Sequence, residues 1–127
     1  MRKETNKIAA AFIERKPARA ARTTTDGKAV ELHGNKIAWH LPQDSATGLN
    51  DVALTLAGWG SVTTRERLNG LLTLLGHPYV GISQRKGRQW VVYKAEPVQE
   101  IEPDDIFTLH ELRAWVAEYN ASKGVAA

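Results

Sequence analysis

The 127-residue chain contains no cysteine. That excludes disulfides, thiolate catalysis and cysteine-ligated zinc, and it fits a reducing compartment. Long apolar runs are missing as well. None approaches the roughly 18 residues of a membrane-spanning helix, and no secretory segment opens the chain. Charge of one sign is not in large excess, since the formal net charge is only +3. Its distribution is uneven. Residues 1–22 carry seven basic groups (Arg2, Lys3, Lys7, Arg15, Lys16, Arg19, Arg22) against Glu4 and Glu14, a local balance of +5. The rest of the chain carries −2. A basic arm on a near-neutral body is the charge pattern to explain.

The length suits one domain with a core that needs no staples. Residues 1–25 read as a basic N-terminal helix and linker, 26–120 as a single α+β domain, and 121–127 as a flexible tail. Within the arm, Ile8, Ala9, Phe12 and Ile13 share a helical face and Pro17 marks a stop, which predicts a short helix over 5–15. A helix this short needs a surface to cover its apolar face: its own domain, a second copy or a partner. Residues 17–25 carry no apolar period and read as a linker.

Asp26-Gly27 opens the body as a turn pair. Val30 and Leu32, then Ile37, Trp39 and Leu41, alternate on either side of Gly34-Asn35, which reads as a two-residue hairpin turn. Pro42 to Asn50 reads as a polar loop, and Val52, Leu54 and Leu56 mark a third strand over 52–57. Thr63 and Glu66 have the spacing of a capping box, and Leu68, Leu71, Leu72 and Leu75 supply the stripe of the helix that follows. Gly76 and Pro78 end it. Tyr79–Ser83 and Gln89–Lys94 predict a second hairpin whose loop contains Lys86-Gly87. An acidic connector (Glu96, Glu100, Glu102, Asp104, Asp105) then leads to a second capping box, Thr108 with Glu111, and to a helix carrying Leu109, Leu112, Val116 and Tyr119. The expected order is α-β-β-β-α-β-β-α: an antiparallel sheet of about five strands with helices on one face.

Catalytic signals are sparse. His33, His40, His77 and His110 have no spacing that supplies two metal ligands from one element. Ser61 is not in a nucleophile elbow, and Asp104-Asp105 suits helix capping. His40 with Asp44 or Asp51 is the one conceivable general-base pair. Neither an enzyme nor a cofactor is expected.

Binding signals are stronger. Ser61, Thr64, Arg65 and Arg67 lie at a helix start, a corner that could take a phosphate, a nucleotide or another small anion. The bland alternative is that the glycines turn the chain and both arginines are solvated, and it is favoured. Arg85, Lys86 and Arg88, followed by Trp90, place cations beside an aromatic on a hairpin, as nucleic-acid contact requires. A solvated tip with Trp90 facing the core is the alternative. Trp59, between Gly58 and Gly60, is either the edge of a core, the favoured reading, or an exposed platform for stacking.

The segment Asp26-Gly27-Lys28-Ala29-Val30-Glu31-Leu32-His33-Gly34-Asn35-Lys36-Ile37-Ala38, with Ala57-Gly58-Trp59 and Thr63-Thr64-Arg65-Glu66-Arg67-Leu68-Asn69, resembles small uncharacterised proteins of tailed bacteriophages. Arg2-Lys3-Glu4-Thr5 and Ala11-Phe12 resemble their N-terminal helix. The resemblance spans residues 2–94; such proteins end soon after the second hairpin, so the helix at 103–120 stands as a departure from them. It implies a viral accessory protein in the cytoplasm of an infected bacterium, with no catalytic or binding residues to carry over. The expected partner is a host or viral protein, or nucleic acid, and not a membrane. Terminal helices could also join copies into a homo-oligomer.

Overall fold

Residues 3–42 and 50–124 are described by the computed structural model of the chain. The elements are α1 (Lys3–Ile13), β1 (Ala18–Ala20), β2 (Thr23–Thr25), β3 (Ala29–Leu32), β4 (Asn35–His40), β5 (Val52–Thr55), α2 (Val62–Leu74), β6 (Val80–Arg85), β7 (Arg88–Tyr93), β8 (Glu96–Ile101), β9 (Ile106–Thr108) and α3 (Leu109–Ser122). The fold is α+β and antiparallel, with a six-stranded sheet in the order β1-β2-β3-β4-β5-β9 and a separate three-stranded sheet β6-β7-β8. No described helix is long and apolar enough to cross a membrane.

The segment 17–25 is not a linker. It forms β1 and β2, and Thr23 and Thr25 are buried opposite Leu32 and Val30. Apolar periodicity misses them because the buried residues are threonines, β-branched side chains that suit a strand. Their hydroxyls are satisfied inside: Thr25 donates to the Ala29 carbonyl at 2.6 Å, and Thr23 accepts from Arg67. The acidic connector likewise contains β8 and is followed by β9, where sequence alone indicated neither.

Helix α1 finds its cover within its own chain. Ile8, Ala9 and Phe12 are buried in a core shared with Leu54, Leu68, Leu71, Leu72 and Phe107. The first hairpin turns at His33-Gly34 (φ 53° and 80°), one residue earlier than Gly34-Asn35. A two-residue turn of this type needs positive φ at both centres, which histidine tolerates and glycine favours. A bulge opposite Val30 and Glu31 leaves Ile37 without a partner across the strand pair. Alternation therefore shifts: Ala38 faces the core, whereas Trp39 is half-buried on the other face, opposite Ala29 and Ala53. The second hairpin turns on Lys86-Gly87 alone, so its loop has two residues.

The stripe of α2 buries Leu68, Leu71 and Leu72, with Leu75 partly covered. The capping box of α3 forms as expected: Glu111 N–H donates to Thr108 Oγ1 at 3.1 Å and Thr108 N–H to Glu111 Oε1 at 3.2 Å. Phe107 and Leu112, the residues of its hydrophobic staple, are both buried. Helix α3 continues to Ser122, so the expected tail begins as helix, and residues 125–127 lie outside the described residues.

Candidate nucleic-acid interface

After β5 the chain reverses through Ala57-Gly58, both at positive φ, with the Trp59 N–H donating to the Leu56 carbonyl at 2.9 Å. Gly58 N–H donates to the Pro103 carbonyl at 2.9 Å, anchoring the turn to the connection between β8 and β9. The turn carries Trp59 off the body, and its side chain is 62% exposed. It is not a core edge. Beside it lies a cleft of about 480 Å³ with Leu32, Ile37 and Leu56 in its floor and Asn35 and Thr63 at its rim. No acidic residue lines it.

Helix α2 then starts two residues earlier than the Thr63–Glu66 spacing indicates. Ser61 is the N-cap, its side chain accepting from the Thr64 N–H at 3.2 Å, while the Thr64 hydroxyl lies 2.9 Å from that of Ser61. Ser61 and Thr64 are thereby engaged with each other. Glu66 is unavailable for a box because it serves a different network. Arg67 is 7% exposed, not solvated. Its Nε donates to Thr23 Oγ1 (2.9 Å), and its Nη1 donates to Thr5 Oγ1 and to Glu66 Oε2, each at 2.6 Å. Thr5 also donates to Glu66, closing the group. This buried cluster ties α1, β2 and α2 together, and Arg67 does not reach the surface corner.

Arg65 does a related job at the other sheet. Its Nη1 donates to the Gly60 carbonyl at 2.6 Å and is shared with Gln84 Oε1 and Gln89 Oε1, both at 3.2 Å. Gln89, itself buried, donates to Gln84 at 2.8 Å. A methyl group on Gly60 would come within 2.8 Å of Gln89 Nε2, so glycine permits this close approach. The pair Gln84–Gln89 lies one register step from Arg85–Arg88 at the hairpin tip. Arg65 thus joins the Trp59 turn to the basic tip. Sequence alone singled out Arg65 but not Gln84 or Gln89, which carry no motif, and it read Asn35 only as a turn residue.

At the tip, Lys86 is exposed. Arg85 donates to the Ala95 carbonyl, and Arg88 lies 3.6 Å from Glu100 while remaining 68% exposed. Trp90 is half-buried between strands, opposite Ser83 and Glu100, and shares the outer face of the small sheet with Arg88. Its sequence neighbours Gln89 and Val91 are the buried ones. The arm contributes too: the Arg22 carbonyl accepts from the His33 N–H at 3.0 Å, which sets Arg22 next to the hairpin turn at the cleft.

Among the described residues, the remaining candidates are held apart in other contacts. His40 stacks on Phe12 with ring centroids 4.0 Å apart, and its Nε2 lies 2.8 Å from the Phe12 carbonyl oxygen. Asp51 accepts from the Val52 N–H at 2.8 Å, and Asp44 lies outside the described residues. His77 faces Arg113 across 3.5 Å, and burial first, then that guanidinium, hold its pKa below the ordinary value.

The chain matches the family described as Kyanoviridae Gp96 protein over residues 1–114. No curated protein and no solved structure matches it. The family match runs past the second hairpin, through β8 and β9 and into α3, so the start of that helix is not a departure from the family pattern. Covering nearly all of the described fold, the match shows that this chain belongs to the Kyanoviridae Gp96 protein family, a family of tailed phages.

Proposed function

We propose that this protein is a non-enzymatic phage accessory protein that binds nucleic acid, with Trp59 as its aromatic contact and the Arg85–Arg88 tip as its phosphate contact. The observation that carries this is the exposure of Trp59 at the same end of the molecule as three basic side chains. An exposed tryptophan offers a stacking face to any base, and nearby cations supply sequence-independent attraction to phosphates. Arg22 adds a cation next to the His33-Gly34 turn at the edge of the cleft. The site of action is the cytoplasm of the infected host.

A mobility-shift assay with mixed single- and double-stranded DNA and RNA tests this reading. Binding at low salt that weakens steeply as salt rises supports it, because phosphate contacts release counterions. No shift at low salt overturns it.

A second reading has support from the apolar floor beneath Trp59: an inhibitor of a host machine that uses this tryptophan as the anchor of a protein contact. Nuclease-resistant capture of one host protein, lost in Trp59→Ala, distinguishes it. The small-anion reading of the Gly60–Arg67 corner has little support left, since Arg67 is buried and Arg65 already has three acceptors. A flat thermal-shift response to a nucleotide panel sets it aside.

A further inference from the structure

We infer that the cleft beside Trp59 is a pocket for one unpaired nucleobase, which makes single-stranded nucleic acid the preferred ligand. This rests on the nucleic-acid reading above and narrows it. The cleft has the makeup of a small planar-ligand site: an apolar floor from Leu32, Ile37 and Leu56, one aromatic wall from Trp59, and a few polar groups at the rim. Its volume of about 480 Å³ falls inside the roughly 300–1,000 Å³ range of small-molecule sites.

Two rim side chains are available to read a base edge. Asn35 and Thr63 have no side-chain hydrogen-bond partner among the described residues, whereas Ser61 and Thr64 at the same rim are engaged with each other. Asn35 offers a carboxamide, one acceptor and two donors, which matches the adjacent donor and acceptor atoms on base edges. Thr63 adds a hydroxyl able to act either way.

The surroundings favour a nucleotide over an apolar peptide side chain. No carboxylate lines the cleft, Arg22 lies next to the hairpin turn at its edge, and the Arg85–Arg88 tip lies one register step past Gln84, which Arg65 ties to Gly60. A strand crossing the cleft can place one base against Trp59 and its neighbouring phosphates on those cations. A base paired in a duplex cannot enter, because its edge and both faces are already occupied.

Fluorescence anisotropy at low salt tests the inference, using labelled oligothymidine, a duplex of the same length, and the single strand with abasic sites. The intact single strand is expected to bind at least tenfold tighter than either other probe. Trp59→Ala should weaken the intact strand by roughly tenfold to a hundredfold, the range for losing one base–aromatic stack, and should barely change the abasic strand. Trp59→Phe should retain most of the affinity. Circular dichroism of the variants verifies the fold, which an exposed side chain does not support. Equal binding of intact and abasic strands, or a Trp59→Ala variant that binds like the parent, overturns the base pocket while nucleic-acid binding stands. Failure of all three probes to bind overturns both.

Discussion

Arg67 on α2 donates to the hydroxyl of Thr5 on α1 across 2.6 Å, in an interior that leaves the arginine 7% exposed. The contact explains why a lone arginine can sit beneath two helices: Thr5, Thr23 and Glu66 together satisfy its guanidinium, and Glu66 balances its charge. Removing the guanidinium takes the donor from Thr5, Thr23 and Glu66 at once, in the interior between α1, β2 and α2. Arg67→Ala is therefore expected to cost about 3–5 kcal/mol of folding stability. Urea denaturation checks this, and a loss under about 1 kcal/mol would place Arg67 among ordinary surface arginines.

Asn69 is expected to matter for a similar reason at the small sheet. Its Oδ1 accepts from the Ile82 N–H at 2.6 Å and its Nδ2 donates to the Ile82 carbonyl at 3.1 Å, so the side chain behaves as an extra strand residue for β6. Asn69→Ala leaves both backbone groups without that partner and should cost about 1–3 kcal/mol. Asn69→Asp should be no better, since a carboxylate cannot donate to the carbonyl. Thermal unfolding of both variants measures the effect, and a wild-type midpoint for either would contradict it.

Arg65 positions the hairpin tip relative to Trp59. Arg65→Ala should lower stability only modestly, by about 1 kcal/mol, because the side chain is partly exposed and its hydrogen bonds are replaced by water. Its signature should appear at the tip instead: faster amide hydrogen exchange in β6 and β7 and weaker oligonucleotide binding. Unchanged exchange there would show that the hairpin is held without it.

Lys86 and Arg88 test the electrostatic part. Each phosphate contact contributes roughly 0.7–0.9 to the slope of log affinity against log salt. Lys86→Gln with Arg88→Gln should reduce that slope by up to about 2 with no loss of stability. An unaltered slope would move the phosphate contacts away from the tip.

Acidity should reveal His77. Its pKa in the folded state lies below the ordinary 6.5, chiefly through burial and secondarily through Arg113. The unfolded chain then binds more protons, so this group's contribution to stability is complete above 6.5 and is lost as pH falls through 6.5 toward the folded value. His77→Asn should flatten the stability profile across that window. A parent protein with flat stability there would contradict the assignment.

Much of this architecture is legible in the sequence because it rests on apolar periodicity and caps. The leucines of α2 and the Thr108–Glu111 box are local features, and each stands where spacing places it, whereas the second hairpin pairs on through Arg85 and Arg88 beyond the strands that spacing indicates. The missed parts are those whose physics is non-local. Thr23 and Thr25 look like linker residues until Leu32, Val30 and Arg67 are brought against them. Arg67 looks solvated because its partners lie on α1 and β2, and Trp59 looks like a core edge because only the turn at Ala57-Gly58 decides where it points. At the candidate site, the tip cations and Trp59 are readable as residue types. Their convergence through Arg65, Gln84 and Gln89 is a property of the fold alone.

The most direct measurement is an amide and indole NMR titration of the full chain with oligothymidine at low salt. A binding face built on Trp59, the cleft and the tip predicts that the Trp59 indole and the amides of residues 33–36, 59–63 and 85–88 shift together, while those of α3 stay in place. Shifts confined to α1 or α3, or an unmoved Trp59 indole in the presence of bound oligonucleotide, would contradict it.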